Sequence, residues 1–161
     1  MKCRERLESY LRQQQVAFDV QQHRTAYTAQ EVAETEHIPG RLVAKTVVAW
    51  ADGQLVLLVL PASLQVELAR LNAALGAKVT RFAHEAEFVD AFPDCEIGAM
   101  PPFGNLYDLP VYVDKSLTED EAIVFPAGTH TETMSVRYAD YAQLVKPTIV
   151  EFAGPRVTLG A

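Results

Sequence analysis

Cysteine is scarce in this chain, which has two among its 161 residues. Cys3 and Cys95 lie far apart and form no CxxC pattern, so the sequence predicts neither a disulfide scaffold nor a zinc site. Cys95 also stands between Asp94 and Glu96, whose negative charges oppose thiolate formation. It is therefore a poor candidate for a nucleophile.

Long hydrophobic runs are also missing. The most apolar stretch, LVLLVLPA, is far too short to span a bilayer and is stopped by Pro61. The N-terminus, MKCRERLESY, is charged throughout and lacks the apolar core of a secretory signal. These absences predict a cytoplasmic protein with no membrane contact.

The chain also has no excess of basic over acidic residues. Lys and Arg number 14 against 21 Asp and Glu, which gives a formal net charge of −7. Non-specific affinity for nucleic acids comes mainly from neutralised phosphates, so this charge argues against indiscriminate nucleic-acid binding. The net charge does not exclude a local basic pocket, which would form if the fold brings several cations together. Its candidate cations are Arg24, Arg41, Lys45, Lys78, Arg81 and Arg137.

Familiar catalytic motifs do not occur either. The chain contains no GxSxG elbow, HExxH helix, Walker loop or GxGxxG turn. Its four histidines, His23, His37, His84 and His130, are scattered without metal-ligand spacing. We expect no metal and no cofactor. If the protein is an enzyme, its catalysis depends on backbone groups, a positioned lysine and help from the substrate.

What remains is the composition of one folded domain over residues 1–161, with 49% hydrophobic and 22% charged residues. Periodicity predicts helices over 4–15, 28–40, 64–75, 84–92 and 138–145. Strands are predicted over 17–23, 42–50, 54–61, 78–83, 109–114, 121–128, 131–137 and 148–152. The interspersed order, without a regular βαβ rhythm, predicts an α+β fold with a mixed, partly barrel-like sheet and surrounding helices.

Local signals support several of these boundaries. Thr28 and Glu31 form a capping-box pattern at the start of the second helix. Asp52-Gly53 predicts a tight hairpin turn between two strands. Ser63 is expected to cap the third helix, and Gly76 to end it.

Lys45 departs from the apolar pattern of its predicted strand. In RLVAKTVVAW it shares a strand face with Val43 and Val47, where an unpaired ammonium is disfavoured. One interpretation is an edge-strand lysine whose stem covers apolar surface while its head reaches water. The other is an anion-binding lysine at the mouth of a pocket. The strand pattern alone supports both about equally.

Two predicted loops could form a binding site together with Lys45. DCEIGAMPPFG, residues 94–104, combines stiff prolines with permissive glycines, so it can aim backbone groups at a ligand or simply connect two strands. PAGTHTETM, residues 126–134, places His130 just past a turn. Loop histidines are more often surface residues than catalysts, yet His130 is the best placed of the four for proton chemistry.

Taken together, HRTAYTAQEVAETEHIPG, AKTVV, GAMPPFG, VYVD and FPAGTH resemble the YbaK/ProX family of aminoacyl-tRNA editing domains, free-standing relatives of the prolyl-tRNA synthetase insertion domain. The resemblance runs over nearly the whole chain. It implies a trans-editing deacylase that hydrolyses the ester of a small amino acid mischarged on tRNA, with proline tRNA as the first expectation. The implied partners are the tRNA acceptor end and a synthetase.

The resemblance also implies roles for residues. Lys45 is expected to hold the phosphate of the terminal nucleotide, and Gly128 and His130 to act near the ribose hydroxyls and the attacking water. Thr46 stands where other members place asparagine or another residue. The residues expected to contact substrate are Tyr27, Ala29, Gln30, Thr46, Gly98, Ala99, Met100, Pro102, Phe103, Gly104 and Thr129.

Two other functions fit the same residues. One is a catalytically weak module that binds tRNA ends or a nucleotide for a synthetase partner, which the acidic net charge favours. The other is a hydrolase that acts on an ester or amide outside tRNA. Retained binding without turnover would indicate the first, and equal activity on an aminoacylated adenosine fragment would indicate the second.

Overall fold

The computed structural model describes residues 2–156. Within them the helices are α1 (Cys3–Gln13), α2 (Ala29–Glu36), α3 (Leu68–Leu75), α4 (Glu85–Phe88) and α5 (Tyr138–Val145). The strands are β1 (Asp19–Gln22), β2 (Ala44–Ala51), β3 (Gln54–Pro61), β4 (Leu64–Val66), β5 (Thr80–Phe82), β6 (Val111–Asp114), β7 (Ala122–Pro126), β8 (Glu132–Arg137), β9 (Thr148–Val150) and β10 (Ala153–Pro155).

The strands form a mixed sheet and two smaller antiparallel ones. The mixed sheet has the order β5-β2-β3-β6-β9, in which β3, β6 and β9 run parallel and the other neighbours antiparallel. The smaller sheets are β1-β8-β7 and β10-β4. A parallel bridge from Val43 to Val124 joins β7 to the residue before β2. The predicted α+β fold is confirmed, although the described sheets do not close into a barrel.

The β2–β3 hairpin shows how the sequence directs the central sheet. Asp52 and Gly53 have φ angles of 48° and 85°, which suit a two-residue hairpin turn, as the Asp-Gly pair predicted. This turn pairs Ala51 with Gln54 and thereby fixes the register of the whole hairpin, in which Lys45 lies opposite Leu60. The position of Lys45 near the far end of the hairpin follows from that register.

Hydrophobic side chains cover both faces of β3. Leu57 and Val59 belong to the larger core cluster, while Leu58 and Leu60 pack in a second cluster with Leu71 of α3. A strand buried on both faces needs a continuous apolar run, which is what LVLLVLP supplies. The run that was too short for a membrane is thus the centre of the fold. None of the helices in residues 2–156 has the length and apolar character needed to cross a membrane.

The second helix begins as its capping pattern predicts. Thr28 Oγ1 accepts a hydrogen bond of 3.1 Å from the N–H of Glu31. The Glu31 carboxylate in turn accepts a hydrogen bond from the N–H of Tyr27, one residue earlier than in an ideal capping box. α2 ends at Glu36, and the residue that caps it, His37, adopts the left-handed conformation two residues before Pro39. The start of α2 is therefore firmly held beside the site described below.

The prediction of a helix over 64–75 capped by Ser63 was wrong in its first turn. Residues Leu64–Val66 form β4, which pairs with β10, and α3 begins only after Glu67. Pairing with a strand almost ninety residues later overrides the local helical pattern. The predicted helix over 84–92 is also shorter, since α4 passes into a 3₁₀ turn at Val89–Ala91.

Candidate active site

A cavity of about 310 Å³ opens between the start of α2, the start of β2 and the loop that contains Gly98. These segments come from three distant parts of the chain, and the ends of β7 and β10 complete the walls. The lining residues are Tyr27, Thr28, Ala29, Gln30, Lys45, Thr46, Ala62, Gly98, Met100, Pro126 and Arg156. The described lining contains no carboxylate, imidazole or thiol.

Lys45 lies half-buried in this cavity. On one side β2 pairs with β3 through Leu60, whereas β5 reaches only Ala49–Ala51, so the strand edge at Lys45 is free of β5. Of the two interpretations of Lys45, this placement has a feature of each: the strand edge beside it is not covered by β5, and its side chain lines a cavity. No carboxylate of residues 2–156 forms an ion pair with it. Burial lowers the pKa of Lys45, and the charge of Arg156 lowers it further.

Arg156 is a second cation in the cavity, and sequence analysis missed it. It follows β10, whose start is held by the buried carboxylate of Asp114: Oδ1 accepts from the N–H groups of Phe152 and Ala153 at 2.8 and 2.9 Å. Like Lys45, Arg156 forms no ion pair with a carboxylate of residues 2–156. Two cations near one another without an anion are a favourable site for a negatively charged ligand.

The other predicted cations do not join this site. Arg24, Arg41, Lys78, Arg81 and Arg137 are absent from the cavity lining. Arg81 instead donates to Glu87 at 2.6 Å and packs over the ring of Trp50. Only Lys45 of the six candidates faces the cavity. No local pattern in AGPR, residues 153–156, distinguishes Arg156. Its position depends on the pairing of β10 with β4, a strand almost ninety residues earlier in the chain.

Thr46 also lines the cavity. Its Oγ1 is shielded from solvent and has no hydrogen-bond partner among the described residues. Buried hydroxyls are usually paired, and leaving one unpaired costs about 1–3 kcal/mol. A ligand that offers a hydroxyl, amine or carbonyl group could supply the missing partner.

The loop that was predicted to line the pocket divides into two parts. Gly98 and Met100 line the cavity, and the N–H of Gly98 approaches Met100 Sδ at 3.2 Å. Gly98 has a φ of +87°, which side chains rarely adopt. Ala99 between them is buried and accepts from the N–H of Gly128 at 2.9 Å, so it supports the wall from behind.

The second part of the loop packs in the core. The Pro102 carbonyl accepts from the hydroxyl of Tyr141 at 2.7 Å, and Phe103 is fully buried. A Cβ at Gly104 would lie 2.5 Å from the carbonyl oxygen of Leu109, so only glycine fits this close approach. These residues lie outside the cavity lining and hold the loop in place.

The turn after β7 also supports the wall. Pro126 lines the cavity, whereas Gly128 and Thr129 border a second cavity. The N–H of Gly128 donates to Ala99 and its carbonyl accepts from Glu96 at 2.8 Å, so both backbone groups are already paired. Gly128 therefore connects the two loops rather than presenting free groups to the cavity.

His130 lies behind the cavity wall. Its Nε2 is 2.8 Å from the carbonyl oxygen of Ile97, which can only accept, so Nε2 carries the proton in this bond. Its ring packs against Tyr27, with centroids 4.9 Å apart, and lies close to Gly98. The imidazole thus contacts two lining residues without lining the cavity itself.

Tyr27 stands at the cavity mouth. The residue is 66% exposed although its ring packs on His130. Ala29 and Gln30, also predicted from the sequence, continue the same wall on the first turn of α2. Besides Arg156, the lining residues that sequence analysis missed are Thr28, Ala62 and Pro126. An exposed aromatic ring beside two cations is suited to stacking on a nucleobase.

Comparison with known proteins places the chain among related sequences and folds. The sequence model of the aminoacyl-tRNA editing domain family matches residues 23–144. A protein of Escherichia coli (strain K12) named multifunctional Ser/Thr-tRNA deacylase ProXp-y is 31% identical over 153 residues, 92% of this chain and 91% of that protein. The same values hold for the protein of that name in Escherichia coli O157:H7.

Solved structures share the fold. A proposed trans-editing enzyme for prolyl tRNA synthetase superposes with a TM-score of 0.80 at 17% identity, over 96% of this chain and 98% of that one. The crystal structure of a hypothetical protein superposes with a TM-score of 0.82 at 14% identity, over 92% and 99% of the two chains. At these identities the similarity is one of fold.

Proposed function

The chain belongs to the aminoacyl-tRNA editing domain family, and from that premise we propose that it is an aminoacyl-tRNA deacylase. It hydrolyses the ester that joins a wrong amino acid to the terminal adenosine of a tRNA. The observation that carries the proposal is the pair of cations, Lys45 and Arg156, in a cavity whose described lining holds no anion. The phosphate of the terminal nucleotide is the anion that compensates them.

Binding at this site orients the ester for hydrolysis. Lys45 and Arg156 hold the phosphate, Tyr27 stacks on the terminal base, and the Gly98 loop surrounds the aminoacyl group. An aminoacyl ester is already activated, so a positioned water assisted by the neighbouring ribose hydroxyl is sufficient for the reaction. The lack of a general base in the described lining supports this substrate-assisted route. His130 positions Tyr27 and the Gly98 loop from behind.

The edited amino acid is small. A synthetase site for a larger apolar side chain rejects one that lacks a methylene by only about 1–3 kcal/mol, so a second sieve is needed. The Escherichia coli relative is named for serine and threonine. The unpaired hydroxyl of Thr46 gives this cavity a partner for a substrate hydroxyl. Serine and threonine are therefore the first amino acids to test, followed by alanine on proline tRNA.

A synthetase partner fits the charge of the molecule. With a net charge of −7, long-range attraction to tRNA is weak, and two cavity cations supply only local binding. A synthetase that presents the mischarged acceptor end would compensate for this. The protein would then act in the cytoplasm, where tRNA is charged.

The test is deacylation of a panel of tRNAs mischarged with serine, threonine, alanine or cysteine. We expect release of at least one amino acid, and a loss of kcat/KM of about 30-fold or more in Lys45→Ala. Lys78→Ala is the matched control, because that lysine is exposed and lies outside the cavity. Its activity should stay within about twofold of the wild type.

Other results would indicate the alternative functions. Tight binding of tRNA ends without turnover on any member of the panel would indicate a binding module. Equal activity on an aminoacylated adenosine fragment and on intact tRNA would indicate a hydrolase that does not need tRNA. Unchanged activity in Lys45→Ala would contradict the proposed site.

A further inference from the structure

A second cavity, of about 390 Å³, lies between the start of α1 and the loop that precedes Gly98. It contains both cysteines of the chain, Cys3 and Cys95, which are free thiols. The deacylation reaction proposed above uses neither of them. Their separation in sequence concealed that the fold brings them together.

The two thiols are close neighbours. Their Sγ atoms and a carboxylate oxygen of Asp94 all lie within 4.8 Å of one another. The hydroxyl oxygen of Tyr107 is 3.4 Å from Cys3 Sγ and 3.1 Å from Cys95 Sγ. The backbones are adjacent too, because the N–H of Cys3 donates to the carbonyl of Asp94, the residue before Cys95, at 3.1 Å.

We propose that Cys3 and Cys95 form a reversible disulfide when the protein meets a low-molecular-weight disulfide such as oxidised glutathione. The hydrogen-bonded backbones and the Sγ atoms, which lie within 4.8 Å of one another, place the two thiols where a disulfide can form. Both thiols border the cavity, which gives the oxidant a route to them although Cys3 is 3% exposed. The inference concerns a site distinct from the deacylase cavity.

The two thiols are not equivalent. The hydrogen bond from Cys95 lowers the pKa of Cys3, against the opposing effect of burial. The same hydrogen bond and burial raise the pKa of Cys95. Cys3 is therefore the first thiolate to form and the better attacking sulfur.

The exchange balances in two steps. The Cys3 thiolate attacks one sulfur of oxidised glutathione, whose S–S bond breaks, and the expelled glutathione thiolate takes up a proton. The Cys95 thiol then loses its proton and attacks Cys3 Sγ in the mixed disulfide, which releases the second glutathione as a thiol. One protein disulfide has then replaced one glutathione disulfide, and no further oxidant is needed.

The bridge would connect α1 to the loops behind the active site. A Cβ at Gly128 would lie 2.6 Å from Cys3 Sγ, so this sulfur packs directly on the turn that leads to His130. Cys95 precedes Gly98 by three residues on the other loop. Oxidation would therefore restrain both loops and increase the stability of the protein.

The test uses the full chain, reduced and then exchanged into glutathione buffers of increasing oxidised fraction. Intact mass and thiol titration after denaturation should show a monomer that has lost two hydrogen atoms and both thiols together. Dithiothreitol should restore both thiols. The oxidised form should unfold at a temperature higher by about 5 °C or more.

Single variants provide the controls. Cys3→Ser and Cys95→Ser should each stop at one glutathione adduct or remain reduced, without the increase in unfolding temperature. Two glutathione adducts on the wild type, or a disulfide-linked dimer, would overturn the proposal. So would thiols that resist oxidised glutathione but are lost on adding zinc, since the cluster would then be a metal site.

Discussion

At a single lysine, the proposed function and the stability of the fold oppose each other. The ammonium of Lys45 is half-buried, lies near Arg156 and has no carboxylate partner among residues 2–156. Its burial without a ligand is unfavourable, so the residue lowers the stability of the free protein. Functional sites commonly carry such a cost.

Replacing this lysine by an apolar residue of similar length should therefore stabilise the fold. We expect Lys45→Met to increase the free energy of unfolding by up to about 1 kcal/mol while activity is lost. Chemical denaturation measures the stability, and the deacylation assay measures the activity.

The same substitution should have an effect on stability that depends on pH. The pKa of Lys45 in the folded protein is lowered from 10.5, so the unfolded chain binds this proton more tightly than the folded protein does. The stability of the wild type therefore rises as the pH increases through the lowered pKa. The advantage of the methionine variant should shrink toward pH 10.5, and an advantage that is independent of pH would contradict this account.

Tyr27 offers a second test at the scale of one residue. Its exposed ring at the cavity mouth is proposed to stack on the terminal base. Stacking is worth about 1–3 kcal/mol, so Tyr27→Ala should raise KM for mischarged tRNA by about 5- to 150-fold. Tyr27→Phe keeps the ring and should behave as the wild type in steady-state kinetics. If the phenylalanine variant is equally impaired, the hydroxyl rather than stacking is what matters.

At the scale of elements, one buried carboxylate connects β6 to β10. Asp114, at the end of β6, accepts two backbone bonds at the start of β10 through Oδ1 and two from Ser116 through Oδ2. Burial alone would raise the pKa of Asp114, but these hydrogen bonds outweigh it and hold the pKa below 3.8. The stability that this carboxylate provides is present above pH 3.8 and is lost as pH falls through the lowered pKa.

This arrangement predicts different effects for two substitutions. Asp114→Ala leaves the N–H groups of Phe152 and Ala153 unpaired, at about 1–3 kcal/mol each, and frees the strand that places Arg156. Unfolding free energy and kcat/KM should both fall. Asp114→Asn keeps an oxygen for those two N–H groups and should retain most activity, with a smaller loss of stability. Equal activity in the two variants would mean that Arg156 does not depend on Asp114.

The elements also show where local patterns were insufficient. Leu64–Val66 was expected to be helical and is a strand, because its partner is β10. The family resemblance implied that Phe103 and Gly104 contact substrate, whereas the structure places both in the core, outside the cavity lining. Both outcomes depend on contacts between segments that are distant in sequence. The β2–β3 hairpin and the cap of α2, by contrast, depend on neighbouring residues and were predicted correctly.

For the whole molecule, charge distribution matters more than net charge. The protein is acidic overall, so in the proposed function its attraction to tRNA comes from a few local cations. Each phosphate contact on a single strand contributes about 0.7 to the slope of log affinity against log salt concentration.

Removing Arg156 should therefore weaken the salt dependence of the reaction. We expect Arg156→Ala to reduce kcat/KM at low salt and to make the negative slope of log kcat/KM against log salt less steep by about 0.7. Arg12→Ala, which removes one charge from the exposed side of α1, is the control and should leave the slope unchanged. If the slopes of the two variants are identical, Arg156 does not contact a tRNA phosphate.

The sequence by itself determined the strands and helices whose signals are local, the misfit of Lys45, and a resemblance that the family comparison confirmed. Periodicity, turns and caps act over a few residues and can be recognised without a structure. Only the tertiary structure decided that Arg156 joins Lys45, that His130 lies behind the wall, and that the two thiols meet. These facts follow from pairing and packing between distant segments, which no local pattern encodes.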